Sequence, residues 1–143
     1  MNVTVDASVW LAALSPVEHE HPSSASLISA LIARAVQLHQ PGLFVIEVCA
    51  TVARRTQDRR LALLAARTTL ATPGLVVHEL DHRLAALAAE VAATCALRAA
   101  DAVYVATAQN AAATLVTLDR ELRERAETVA LVRTPGEWLA EVA

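Results

Sequence analysis

Short runs of β-branched and apolar residues recur along this sequence, each cut off by a polar or turn-forming residue, and the intervals between them carry apolar residues at helical spacing. Val3–Val5 stops at Asp6, and Ser8 then opens a short helix over Val9–Leu14. After the polar stretch Glu18–Pro22, Ser23 or Ser24 caps a helix bearing Leu27, Ile28, Leu31 and Ile32. A strand near Val36–His39 is broken by Pro41 and Gly42, and a helix follows from Leu43 to about Arg55, with Phe44, Val48 and Val52 on one stripe. The spacing predicts a further helix over about Gln57–Leu70, a strand over Leu75–His78, a helix capped by Asp81 and reaching about Thr94, and another over about Ala99–Asn110. Thr114–Thr117 reads as a strand ending before Asp119. A short helix, a last strand near Val129–Val132 and a helix started by Pro135 complete the pattern. Strands alternating with helices call for a mostly parallel central sheet covered on both faces, a three-layer α/β/α sandwich.

With 143 residues, 55% of them hydrophobic, the chain has enough apolar surface for one core and not for two, so residues 1–143 read as a single domain. Its three glycines, Gly42, Gly74 and Gly136, form no phosphate-cradling loop, which excludes the Walker A and dinucleotide fingerprints. All twelve basic residues are arginine; without lysine, Schiff-base chemistry is excluded. Cys49 and Cys95 lack any ligand or redox spacing and read as small buried hydrophobes of a reducing compartment. The first ten residues lack the basic start of a secretory signal. The most apolar later stretch, Ala102–Leu118, is too short and too polar to span a bilayer, so the expectation is a cytoplasmic protein. A net charge of −3 supplies no general attraction to nucleic acid, so RNA or DNA binding would require local arginines and cations.

In a parallel sheet, ligands bind beyond the carboxyl ends of the strands. Asp6 follows VTV and Asp119 follows TLVTL, so both face that rim. Glu47 and Asp101 are lone carboxylates in apolar helical segments, where burial without a partner costs several kcal/mol. Taken singly, the two aspartates at strand ends serve as helix caps, and Glu47 or Asp101 can pair with Arg54 or Arg98. Taken together, acids from four elements meet at one rim. Two carboxylates about 5 Å apart repel by roughly 3 kcal/mol at an effective dielectric near 20, so such a cluster requires cations or raised pKa values. Oxygen-only ligands suit Mg²⁺, with Mn²⁺ able to substitute, and the lack of histidine and thiolate in these segments argues against zinc.

The segments VDASVWLAAL, LFVIEVCATVARR, LRAADAVYVATA and LVTLDRELRERA resemble, in order, the four acidic blocks of the PIN domain, in its branch of VapC-type toxins of bacterial toxin–antitoxin systems. The terminal VRTPGEWLAEV is similar to that family's last strand and helix. The resemblance implies a PIN-like sandwich and an acidic metal set of Asp6, Glu47, Asp101 and Asp119, with Ser8 and Thr117 as supporting hydroxyls. It further implies an endoribonuclease that cuts structured RNA such as transfer or ribosomal RNA, a cognate antitoxin wrapped along the groove, and a toxin homodimer. The Glu18–Pro22 stretch has no counterpart in the pattern.

Arg54, Arg55, Arg59 and Arg60 form the densest basic patch and are candidate phosphate clamps, or else a solvated helix face. Arg120, Arg123 and Arg125 interleave with Glu121 and Glu124 as a surface network. The five histidines carry no assigned chemistry, Trp10 and Trp138 read as packing or dimer contacts, and Tyr104 as core. Rival readings are a PIN nuclease that matures RNA without an antitoxin, a non-catalytic RNA- or protein-binding scaffold, and a phosphoacceptor receiver, the last disfavoured by the absence of lysine.

Overall fold

The computed structural model describes all 143 residues. Five strands, β1 (Asn2–Val5), β2 (Gln37–Pro41), β3 (Leu75–His78), β4 (Thr114–Val116) and β5 (Val132–Arg133), form one sheet in the order β3-β2-β1-β4-β5. Every neighbouring pair is parallel, so the mostly parallel sheet of the sequence reading is wholly parallel. Between and after the strands run α1 (Ala7–Leu14), α2 (His21–Ala33), α3 (Leu43–Thr56), α4 (Arg59–Leu70), α5 (His82–Cys95), α6 (Ala99–Asn110), α7 (Arg120–Ala126) and α8 (Pro135–Val142), completing a three-layer α/β/α sandwich.

Val3, Val5, Leu38, Leu115 and Val116 of the three inner strands are fully buried, as a sheet covered on both faces requires. Helix α6 lies against β1, β2 and β4. Its residues Ala102–Ala108 are buried without a break, so the middle of the helix is enclosed on every face while its first turn opens on the rim with Asp101. Helix α5 packs along α6, α1 packs on α2 and α3, and the Trp10 and Phe44 rings join α1 to α3 with centroids 5.9 Å apart. Both tryptophans are buried packing residues. No single helix is long and apolar enough to cross a membrane.

The helix starts follow capping chemistry. Asp58, Asp81 and Asp119 each accept first-turn backbone amides, and Thr134 with Glu137 forms a reciprocal capping box on α8. Five expectations need correction. Helix α2 starts at His21 with Pro22 in its first turn, so neither Ser23 nor Ser24 caps it, and Ser24 is buried. Strand β2 runs through Pro41, which is in register with His78; proline donates nothing there, and the Gly42 amide continues the ladder to the His78 carbonyl at 3.0 Å. Helix α4 starts at Arg59, because Gln57 turns into the left-handed region (φ 54°) to end α3 and Asp58 then caps. The last strand starts at Val132, because the Val129 and Ala130 amides still close on the Ala126 carbonyl. Cys95 is buried, but Cys49 is only half-buried.

One close contact spaces the sheet where β2 and β3 begin, and another bridges it at the carboxyl rim. Gly74 has φ +79°, and a Cβ there would sit 2.5 Å from the Val36 carbonyl oxygen, so only glycine lets β3 start this close to β2. Strands β1 and β2 are in register at Asn2↔Gln37 and Val3↔Leu38. Further along, the buried Gln40 side chain takes over: the Val5 amide donates to its Oε1 at 2.6 Å, and its Nε2 donates to the Val5 carbonyl at 2.7 Å. A side-chain amide thus bridges the two strands immediately before Asp6.

Candidate active site

Strands β1 and β4 are neighbours, and the chain leaves both at the same rim, so Asp6 and Asp119 come together there. Asp6 precedes α1 but makes no side-chain cap bond. Its Oδ2 instead accepts the Ser8 hydroxyl at 2.7 Å and the Thr117 hydroxyl at 2.8 Å. Those hydroxyls are fixed in turn, since Ser8 Oγ accepts the Leu118 amide at 3.3 Å and Thr117 Oγ1 accepts the Asp119 amide at 3.0 Å. Asp119 does cap α7, with Oδ1 accepting the Leu122 amide at 3.1 Å. The capping interpretation therefore holds for Asp119 and fails for Asp6.

Helix α3 brings in Glu47 and the first turn of α6 brings in Asp101, where the helix dipole favours a carboxylate. All four acids line one cleft of about 670 Å³ together with Ser8. None of them forms an ion pair with an arginine. Burial pushes the Asp6 carboxyl above its ordinary range; the hydroxyls of Ser8 and Thr117 and the Ala7 amide oppose this, and the charge of Asp119 adds to it. Burial also raises Glu47, with a lowering share from the Tyr104 hydroxyl and further raising by Asp6 and Asp101. Asp101 is raised by burial, Asp6 and Asp119, and Arg98 only partly offsets this. The four acids thus form a connected set of like charges in partly desolvated surroundings.

The Tyr104 hydroxyl faces Glu47 without meeting hydrogen-bond geometry, and both it and Glu47 Oε1 are buried without a partner. Burial, with the charges of Glu47 and Asp6, holds that phenol well above the ordinary tyrosine range, so it stays neutral. As placed, no three acidic, histidine or cysteine side chains form a closed cage for a bare ion. A hydrated Mg²⁺ needs no such cage, because it keeps several waters and takes one or two carboxylates directly. The oxygen-only donors, their mutual repulsion and the orphaned Glu47 oxygen fit that ion and do not fit zinc.

The basic patch divides. Arg54 and Arg55 line the acidic cleft, whereas Arg59 and Arg60 line a separate recess with Asp58 and Arg67. Arg55 is paired with Glu18 at 3.0 Å. Glu18 and Glu20, from the stretch with no family counterpart, line the cleft as well, as does Arg98. Sequence reasoning did not place Glu18, Glu20 or Gln40 at the rim, named Arg98 only as an ion-pair partner for Glu47 or Asp101, and gave Tyr104 no role beside Glu47. The one available signal was the period of α6, which puts Tyr104 three residues after Asp101 on one face. The α7 arginines form the expected surface network, Arg120 with Glu124 and Arg125 with Glu121, while Arg123 reaches Glu137 of α8.

Residues 3–128 match the PIN domain family. No curated protein sequence is significantly similar to the chain. Among solved structures it is similar to the VapBC2 complex of Rickettsia felis bound to a DNA fragment from its promoter (TM-score 0.72, 11% identity, 94% of this chain and 98% of that chain covered). It is also similar to PAE2754 of Pyrobaculum aerophilum (TM-score 0.71, 23% identity, 99% and 89% covered). A further likeness is to VapC20 of Mycobacterium tuberculosis, described as a toxin cleaving the sarcin–ricin loop (TM-score 0.69, 20% identity, 85% and 93% covered). At these identities the likenesses establish a shared fold.

Proposed function

The chain belongs to the PIN domain family, and from that premise we propose that it is a Mg²⁺-dependent endoribonuclease, the toxin of a VapC-type toxin–antitoxin pair. It acts in the cytoplasm as a homodimer held in check by a cognate antitoxin, on structured RNA such as transfer or ribosomal RNA, and Mn²⁺ can replace Mg²⁺. The observation that carries this reading is the convergence of Asp6, Glu47, Asp101 and Asp119 on one cleft with no guanidinium paired to any of them. The sarcin–ricin loop cleavage named for the mycobacterial neighbour and the VapBC complexes among the similar folds support the choice of RNA and antitoxin.

Asp6 and Asp101 are the direct ligands in this reading, with Asp119 joining directly or through water. A divalent ion in such a site supplies charge neutralisation at the phosphoryl group and a more acidic water at neutral pH. Ser8 and Thr117 hold Asp6 Oδ2 from two sides and so fix the plane of its carboxylate. Glu47, with its pKa raised by burial, takes the proton as the water oxygen attacks phosphorus. The bond to the 3′ oxygen breaks, and after protonation the products are a 3′ hydroxyl and a 5′ phosphate. Tyr104 offers Glu47 a neutral hydroxyl that limits how far burial lifts its pKa.

Induction in a bacterial host with genome-wide mapping of new 5′ phosphate ends tests the reading. Discrete new ends in structured RNA, absent with Asp101→Asn, are the expected result. Growth arrest without new RNA ends, or cleavage undiminished in Asp101→Asn, overturns it.

A further inference from the structure

The cleft that collects the carboxylates is walled by six acidic side chains, Asp6, Glu18, Glu20, Glu47, Asp101 and Asp119, against three guanidiniums, Arg54, Arg55 and Arg98. An anionic polymer meets net repulsion there unless a guanidinium is free to take it. Arg55 is not free, since its Nη1 lies 3.0 Å from Glu18. Arg54 has no carboxylate partner, and of the arginines outside ion pairs it alone lines this cleft. It stands seven residues after Glu47 on α3, two turns along the same face.

Arg98 occupies the opposite wall as the residue preceding α6, three positions before Asp101, and its side chain is 83% exposed. Its charge acts on Asp101, but its only ion pair is with Glu121 at 3.8 Å, and that carboxylate is already engaged by Arg125 at 2.8 Å. Arg98 is therefore tethered weakly enough to exchange Glu121 for a stronger anion. A planar guanidinium grips a phosphate with two parallel hydrogen bonds, which neither Arg59 nor Arg60 can offer here because both face another recess.

We propose that Arg54 and Arg98 form a two-sided phosphate clamp, holding the RNA backbone on either side of the carboxylates. This inference rests on the ribonuclease reading and adds to it which arginines carry substrate. Of the sequence-defined patch it keeps Arg54 alone, and it brings in Arg98 from the other wall.

The test uses the full chain carrying Asp101→Asn, so that binding is read without cleavage, and a fluorescent single-stranded RNA of mixed sequence titrated at several KCl concentrations. Arg54→Ala and Arg98→Ala are each expected to weaken binding about tenfold, as loss of a charge-assisted contact does. Each should also reduce the slope of log affinity against log salt by about 0.7, the value for one single-strand phosphate. Arg98→Lys should keep the slope and lose part of the affinity, because it retains the charge and loses the fork. Arg59→Ala with Arg60→Ala should change neither. If the parent binds RNA and the wild-type chain cleaves it while Arg54→Ala and Arg98→Ala bind with unchanged affinity and slope, the clamp is wrong and the nuclease reading stands. If the parent binds no RNA and the wild-type chain cuts none, both fall.

Discussion

Thr117 donates its hydroxyl to Asp6 Oδ2 at 2.8 Å, tying together residues 111 positions apart at the ends of two adjacent strands. The same hydroxyl accepts the Asp119 amide at 3.0 Å, so one side chain orients two of the four acids. Thr117→Val removes both bonds at nearly constant volume and should cost about 1–3 kcal/mol in urea unfolding. Because the lost bond is one that lowers the Asp6 pKa, the acid limb of the cleavage–pH profile should move to higher pH, and Thr117→Ser should move it back. A profile identical to wild type would show that ionisation of Asp6 does not set the acid limb.

Asp101→Asn should reduce RNA cleavage by about a hundredfold or more, in line with loss of a group acting at the reacting centre. The same change removes a charge that repels Asp6 and Glu47, so in chelator the variant should melt higher than wild type, by about 2–4 °C for each kcal/mol of repulsion relieved. Calorimetry and a cleavage assay on one preparation check both halves; a variant that is inactive and also less stable would place Asp101 in a supporting role.

Stability without divalent ions should fall as pH rises from the acidic range toward neutrality. Asp6, Glu47 and Asp101 all have folded pKa values raised above their ordinary 3.8, 4.5 and 3.8. The folded state therefore holds protons that the unfolded state has released. The stabilisation is complete below those ordinary values and is lost as pH climbs through the raised ones. Glu137, held low by the Thr134 amide and Arg123, has the opposite sign: its contribution is present above 4.5 and is lost as pH falls through the lowered value. Melting curves from pH 4 upward in chelator should slope downward, flatten in Asp101→Asn, and flatten again when Mg²⁺ is added to wild type. Mg²⁺ at about a hundred times its dissociation constant should add about 2.7 kcal/mol. An upward slope through neutrality would contradict the charge arrangement.

Gln40→Leu leaves the Val5 amide and carbonyl without their partners inside the sheet. The expected loss is about 2–6 kcal/mol, one unsatisfied-group penalty for each. Because Val5 precedes Asp6, the variant should lose activity beyond its loss of folded fraction, measured at a temperature where both proteins are fully folded. Wild-type turnover under those conditions would separate the bridge from the site.

Much of this arrangement was legible because its signals are local. VTV before Asp6 and TLVTL before Asp119 announce strands and their ends, and Asp81 and Pro135 announce helix starts, since capping and proline geometry act within one turn. Glu47 and Asp101 stood out because a charge in an apolar helical stretch must be compensated. What escaped depends on partners brought in by the sheet. The bridge from Gln40 to Val5 exists only where β1 and β2 cease to pair directly, and the Nδ1 of His39 meets the Nε2 of His78 at 2.9 Å only because β2 and β3 are neighbours. The arginine patch, compact in sequence, is divided by the left-handed turn at Gln57, after which α4 folds back against α3 and carries Arg59 and Arg60 to a separate recess.

The order β3-β2-β1-β4-β5 places the first strand at the middle of the sheet, beside one that the ribosome makes more than a hundred residues later. Until Thr114–Val116 has emerged and docked against Val3–Val5, Asp6 lacks Thr117 and Asp119, and the cleft has only part of its wall. The cleft is therefore complete only after residues 114–119 have been made and docked, however early Asp6 itself is synthesised.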